Sequence, residues 1–328
     1  MKFVFAVCML LVSTMVHAQE RVATATTLKA SPISLWVENG VISLGLKTGA
    51  MEGFEVNGDG VKSATPVQRG NIKPPEDAMT DAVVGVAKGD IRKAWLTRPT
   101  RRYAHAVLGD AVEAGGLKVE TASGEQLEFV LPETEVFEDR YARIADLDGD
   151  GRVEVVVVNS HDSQGAALAV FGVRKGALKR IARTPFIGTP NRWLNPAAIA
   201  DFDGNGIQEV AIVVTPHIGG NLQFWELNGK DLTLKSEIYG FSNHFIGSRV
   251  QEMSAVLKDD KTGLLEVVLP GADRKSLKSV SLANGKAKIN WQLDLPARVM
   301  TEIVAVPGEE KSPILVMGLS DKTLLVVR

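Results

Sequence analysis

Cysteine is almost absent from this 328-residue chain, and the single one is Cys8. It sits inside an N-terminal apolar stretch and ahead of Val16-His17-Ala18, a small-residue cleavage pattern. Once that stretch is removed, no thiol and no disulfide remain. Thiol catalysis is excluded, and stability outside the cell must come from packing or from bound metal. An excess of one charge is also absent. The 37 Lys+Arg and 39 Asp+Glu leave a formal net charge of −2, which argues against a nucleic-acid partner held through phosphates. After the leader, no apolar run approaches the roughly 20 residues of a membrane-spanning helix. No long window shows the 3.6-residue apolar period of an amphipathic helix either. A nucleophile elbow, a zinc signature, a phosphate-cradling glycine loop and paired catalytic acids are all missing outside the acidic loops described below.

The leader itself, "MKFVFAVCMLLVSTMVHAQE", starts positive at Lys2 and runs apolar from Phe3 to Val16. It predicts a secretory signal peptide (1–18) cut after Ala18, with an uncleaved anchor as the alternative. The remainder, 19–328, is expected to be one domain in the periplasm or outside the cell, with no membrane span.

Beyond residue 80 the pattern is β throughout. Short runs rich in Val, Ile, Leu and aromatics, such as "VEVVVVN" (153–159), "ALAVFGV" (167–173), "EVAIVV" (209–214), "LQFWEL" (222–227), "LEVVLP" (265–270) and "ILVMGL" (314–319), are bounded by Gly, Asn, Asp, Ser or Pro. Asn228-Gly229 and Asn284-Gly285 read as hairpin turns. Glu154, Glu209 and Glu266 each open an apolar run, at spacings of 55 and 57 residues (209 − 154 and 266 − 209). Four strands per unit of this length is the pattern of an all-β propeller built from four-stranded blades. The chain after the leader holds about six such units, or seven if some are short. A pair of β-sandwiches is the competing layout. Residues 57–80 read as a long polar connection or a poorly formed blade. The last unit, 299–328, is short of strands, and the strands of 33–45 are expected to complete it, closing the ring with both chain ends.

Two of the units carry the same loop. "ADLDGDGRVEVVV" (145–157) returns as "ADFDGNGIQEVAI" (200–212). In the first, Asp146, Asp148, Asp150 and Glu154 fall at positions 1, 3, 5 and 9, with Gly151 bending the loop and the carbonyl of Arg152 at position 7. The second offers Asp201, Asp203, Asn205, the carbonyl of Ile207, and Glu209. Oxygen donors at alternating positions around a glycine bend suit Ca²⁺, whereas zinc would want nitrogen or sulfur. Position 12 is Val157 or Ile212, inside a strand, so neither loop is an EF-hand. An acidic turn without metal is the alternative reading. Asn205 removes one charge from the second copy. A third stretch, "VLKDDKTGLLE" (256–266), has lost the alternation and is expected to bind no metal; "EVNGDG" (55–60) reads as a plain turn.

The "D-x-D-x-D-G-x-x-[D/E]" loop running into an apolar strand resembles the FG-GAP/VCBS repeat of integrin-α-like β-propellers. The resemblance is specific over 142–214 and weak before 100. It implies Ca²⁺ in the hairpin between the first two strands of a blade, in a structural role. The family spans adhesion modules, lectin-like domains and lyase scaffolds, so it does not set function.

In a four-stranded blade these loops lie on one face, and the blade-to-blade connections and 2–3 loops lie on the other. On that second face an Arg precedes each first strand: Arg102, Arg140, Arg192, Arg249 and Arg298. Tyr103, Tyr141 and Trp193 accompany three of them, Asn191 and Asn243 lie in matching stretches, and His161, Asp162, His217 and His244 add polar groups. Either the Arg heads stitch neighbouring blades and the aromatics fill the wedges, or Arg140, Tyr141, His161, Asp162, Asn191, Arg192, Trp193, His217 and His244 form a recognition rim. Guanidinium groups and aromatic faces would suit an anionic or carbohydrate ligand or a protein. The expected function is a non-enzymatic binding or adhesion module. The alternative is a polysaccharide lyase using His161, His217, Tyr141 and Arg192.

Overall fold

The computed structural model describes residues 21–57, 60–70, 72–308 and 313–328. The leader 1–18, with Cys8, and the Gly58-Asp59 pair of the weak 55–60 match lie outside the described residues. Among the described residues there is no helix.

Strand β1 (Ala23–Thr27) is followed by a meander of β2 (Pro32–Glu38), β3 (Val41–Leu46), β4 (Met51–Asn57) and β5 (Gly60–Ala64). Next come β6 (Gly85–Val86), β7 (Ile91–Thr100), β8 (Glu113–Thr121), β9 (Gln126–Val130), β10 (Glu135–Phe137), β11 (Arg143–Ala145), β12 (Glu154–His161), β13 (Gly165–Arg174) and β14 (Ala177–Arg183). These nine share one sheet, in which β6–β9 and β11–β14 each repeat the antiparallel meander and β10 bridges β8 to β12. Two further meanders follow: β15 (Leu194–Ala200), β16 (Glu209–Val214), β17 (Asn221–Asn228) and β18 (Asp231–Tyr239), then β19 (Ala255–Lys258), β20 (Leu265–Pro270), β21 (Ser276–Ala283) and β22 (Lys286–Asp294). The last sheet holds β23 (Val304–Val306), β24 (Ile314–Gly318) and β25 (Thr323–Val327), and β1 completes it antiparallel to β25.

Joining the two chain ends in one sheet was anticipated, but the strand that does it was not. Residues 23–27 close the last sheet, while the 33–45 strands start a sheet of their own and pair onward through 51–64. Of the 57–80 segment, read as a polar connection or a poorly formed blade, residues 60–64 form the fourth strand of this sheet.

The middle strands explain the unbroken apolar runs. Val155 and Val157 of β12 pack with Leu96, Leu117 and Phe171, while Val156 and Val158 point the other way, toward Trp193, Val210 and Ile212. Side chains alternate across a strand, so a strand covered on both faces must be apolar at every position. Ala211, Val213 and Phe224 meet Val267, Leu269 and Val280 in the next wedge, Val268 and Leu277 meet Leu315 and Met317, and Leu44 and Phe54 meet Val316 and Val326. Successive sheets are thus stacked face to face like propeller blades, and the first strands β2, β15, β19 and β23 pack against their neighbours along the inside. A register shift recurs between the third and fourth strands at Val170/Phe171, Phe224/Trp225 and Ser279/Val280, so the repeat extends to backbone detail. Of the two Asn-Gly pairs, Asn284-Gly285 turns with both residues at positive φ (54° and 70°), whereas only Gly229 does so in the other.

Candidate functional site

Each acidic loop links the first strand of a meander to the second. The loop 146–153 lies between β11 and β12, and 201–208 lies between β15 and β16. In the first, Asp146 accepts the Gly149 and Gly151 amides at 2.9 and 3.0 Å, Asp148 accepts that of Asp150, and Asp150 accepts that of Arg152 at 2.8 Å. Asp201 likewise accepts Gly204 at 2.8 Å and Gly206 at 2.9 Å, Asp203 accepts Asn205, and the Asn205 carbonyl oxygen accepts Ile207 at 2.6 Å. These Asx-type bonds fold the backbone inward. Asp146, Asp148 and Glu154 then each bring a carboxylate oxygen within 4.8 Å of the others, and so do Asp201, Asp203 and Glu209. Asp150 and Asn205 are not part of these triads; Asn205 instead donates its amide to Glu226 at 3.0 Å.

The two cages differ at their glutamates, both fully buried at the start of the second strand. Glu154 accepts the Leu147 amide on one oxygen and the Arg174 guanidinium, at 2.9 Å, on the other. Glu209 accepts the Phe202 amide at 2.8 Å, but its other oxygen, Oε1, is buried with no partner among the described residues. Burial first, then the carboxylates of Asp203 and Asp201, push the Glu209 carboxyl up to about 7. Burial also raises Glu154, and Arg174 opposes that shift. Lys235 stands beside the second cage, 2.9 Å from Glu226 and 3.6 Å from Asp203. The third buried glutamate, Glu266, accepts the Ser279 hydroxyl and the Asn290 amide. An all-oxygen donor set with an unpartnered buried carboxylate oxygen could hold a hard divalent cation.

On the opposite face the Arg row is mostly tied down. Arg102 donates to the carbonyls of Pro132 and Glu135 and pairs with Glu133. Arg140 pairs with Asp81 at 3.1 Å and donates to the Arg249 carbonyl, while Arg249 pairs with Asp81 and Asp110. Trp193 is a wedge filler, 2 % exposed, with its indole nitrogen donating to the Glu138 carbonyl at 2.9 Å. Around it His217 and His244 form a pair, Nε2 to Nδ1, at 2.9 Å. The Ser248 carbonyl can only accept, so His244 Nε2 carries a proton, its Nδ1 is a lone pair, and His217 is the donor. Burial pushes His217 down to about 4 and His244 to about 3, so both are neutral at pH 7.

The remaining rim residues do not converge. His161 Nδ1 accepts the Ser163 amide of its own loop at 3.2 Å, with an Asp162 carboxylate oxygen 3.0 Å from the same nitrogen. Among the described residues Arg192 donates to the Asn191 carbonyl, and Tyr141 donates its hydroxyl to Glu252 at 3.0 Å. The four lyase candidates thus have separate partners. Sequence reasoning missed Asp139, Arg174, Glu252 and Glu302. A weak signal existed for the last two, since an acid follows Arg249 by three positions and Arg298 by four.

Residues 146–212, which include both cages, match the family model for the FG-GAP-like repeat. Among curated proteins none matches the chain in sequence. Similar solved structures include BBS1N crystallised with ARL6DN, at 11 % identity over 93 % of this chain and 94 % of that one, with a TM-score of 0.48. The WD40 domain of Toxoplasma gondii coronin is also similar, at 11 % identity over 94 % and 85 %, with a TM-score of 0.47. The chain carries FG-GAP-like repeat sequence on a β-propeller fold.

Proposed function

We propose that this propeller is a calcium-stabilised, non-enzymatic binding module for a protein or carbohydrate partner. The observation that carries the calcium reading is the buried Oε1 of Glu209, unpartnered among the described residues, beside Asp201 and Asp203. Asp146, Asp148 and Glu154 would hold the ion in the first loop, with the Arg152 carbonyl and Asp150 as further donors. In the second, Asp201, Asp203 and Glu209 would do so, joined by the Ile207 carbonyl and Asn205. Bound calcium would offset the repulsion among clustered carboxylates and pin the hairpin that joins the two inner strands. Export is supported by the leader-like composition of residues 1–18, and calcium is plentiful outside the cell.

Calorimetric melting with Ca²⁺ and with chelator tests this reading. Saturation at about 100 times Kd should stabilise the fold by about 2.7 kcal/mol. Glu209→Gln should abolish that gain at the second loop and, in chelator, be no less stable than the parent, because it removes a buried, unpaired charge. Identical melting with Ca²⁺ and with chelator would refute the calcium assignment.

A further inference from the structure

A cavity of about 450 Å³ lies among the first strands, between residues 35–38 of β2, 254–256 at the start of β19 and 302–305 at the start of β23. A second cavity of about 280 Å³ lies alongside, lined by Tyr141, Arg143 and residues 196–199 of β15. The two share Glu252 and Ser254 as a common wall. Both are therefore on the inside of the ring of blades, where repeat folds leave space that side chains do not fill.

The charge lining the larger cavity is lopsided. Glu38, Glu252 and Glu302 face it, and Arg69 is the one cation among its described lining residues. Arg69 comes from the segment after β5, outside the strands. It touches Glu252 at 3.3 Å and Glu302 at 3.4 Å, one nitrogen to each, and its side chain is 36 % exposed. A bidentate guanidinium–carboxylate pair is shorter and shares two bonds with one partner, so Arg69 is held loosely. Of the carboxylates, Glu302 is held firmly, while Glu252 is half exposed. Glu302 is 8 % exposed and accepts the Leu35 amide at 2.7 Å, and Glu252 accepts the Tyr141 hydroxyl. Trp36 adds an aromatic wall, its indole nitrogen anchored to the Val67 carbonyl at 2.9 Å.

We infer that this inner cavity is a binding site for a guanidinium or primary ammonium group, and that Arg69 is an internal stand-in that an incoming cation displaces from Glu252 and Glu302. The inference rests on the binding-module reading and gives its ligand a chemical class. A cation entering there regains two carboxylates and an aromatic neighbour, while Arg69, already a third exposed, returns to water at little cost. The cation could come from a free organic amine or from a basic side chain of a protein, and one experiment separates the two.

Titration calorimetry on the full chain with agmatine and with the peptide Gly-Arg-Gly, in saturating Ca²⁺, provides the test. Binding of agmatine identifies a free small cation, and binding of the peptide alone identifies a protein side chain. In either case Glu252→Gln, which keeps an acceptor for Tyr141, should weaken binding about fivefold, the scale of a half-exposed ion pair. Arg69→Ser should strengthen it by a similar factor. Melting temperatures of both variants control for folding. Absence of binding to the parent and to Arg69→Ser, binding indifferent to Glu252→Gln, or preference for glucuronate over agmatine would each overturn the inference. Calcium-dependent melting is read separately, so loss of the metal reading leaves this one standing, and the reverse.

Discussion

Asp139 accepts more hydrogen bonds than any other carboxylate among the described residues, and Asp139→Asn should be among the most damaging single substitutions outside the apolar core. The side chain is fully buried. One oxygen accepts the Arg140 and Tyr141 amides at 2.8 and 3.0 Å and the Gln251 side chain at 3.0 Å; the other accepts the Val158 amide at 3.0 Å and the Arg143 guanidinium at 2.8 Å. These bonds join the connection ahead of β11 to β12 and to the segment before β19. Asparagine can present only one oxygen. Whichever way its amide turns, two or three buried donors lose their acceptor, at about 1–3 kcal/mol each before relaxation. Arg143 also loses its countercharge, and breaking a buried pair on one side costs about 3–5 kcal/mol. These overlap, so the expected loss is about 4–6 kcal/mol rather than their sum. At about 2 °C per kcal/mol for a large domain, the melting midpoint should fall by about 8–12 °C. Circular dichroism melting in fixed Ca²⁺ reads this directly. Adding Arg143→Met to Asp139→Asn should recover part of the loss, because the stranded charge is gone. A drop of less than about 1 kcal/mol, or a double variant worse by the plain sum of the singles, would refute the view of Asp139 as a hub.

The histidine pair predicts acid sensitivity. Both pKa values are lowered on folding, so stability is complete above the unfolded value of 6.5 and falls as pH drops toward about 4 and about 3. The loss by pH 4 should be about 3 kcal/mol from each histidine, about 6 kcal/mol for the pair, and the double variant His217→Gln/His244→Gln should flatten that part of the urea-stability curve. An unchanged slope would count against the pair. Gly220→Ala should prevent folding, since φ is +40° and an added Cβ would lie 1.5 Å from the Phe241 carbonyl oxygen. A soluble variant with a parental melting profile would contradict that placement.

The acidic loops were legible because the groups that bend them are local. Carboxylates, glycine bend and buried glutamate all fall within nine residues, and each Asp bonds to amides two to five positions on. The strands were legible because double-sided burial leaves unbroken apolar runs. What was not legible depends on distant partners. Ala23–Thr27 is a short alternating segment with no apolar signature, and its partner Thr323–Val327 is some 300 residues away. The Arg row was visible, but whether a guanidinium faces a ligand or a neighbour depends on Asp81, Asp110 and Glu133, which no local pattern connects to it.

A buried glutamate opens the second strand of three meanders, at Glu154, Glu209 and, one residue in, Glu266, and what neutralises it varies among them. Glu266 is satisfied by a hydroxyl and an amide, and its loop has lost the alternating acids. Glu154 keeps the acids but already holds a cation, Arg174, at 2.9 Å. Glu209 keeps its triad and, among the described residues, has nothing on Oε1. Charge counting along the chain favours the first loop, because Asn205 removes a carboxylate from the second. The contacts favour the opposite order, because an ion entering the first cage must compete with a guanidinium, whereas an ion entering the second completes an unsatisfied buried group. On this argument the second loop would be the tighter of the two proposed sites, even with Lys235 3.6 Å from Asp203, because an ion in the first would have to share Glu154 with Arg174.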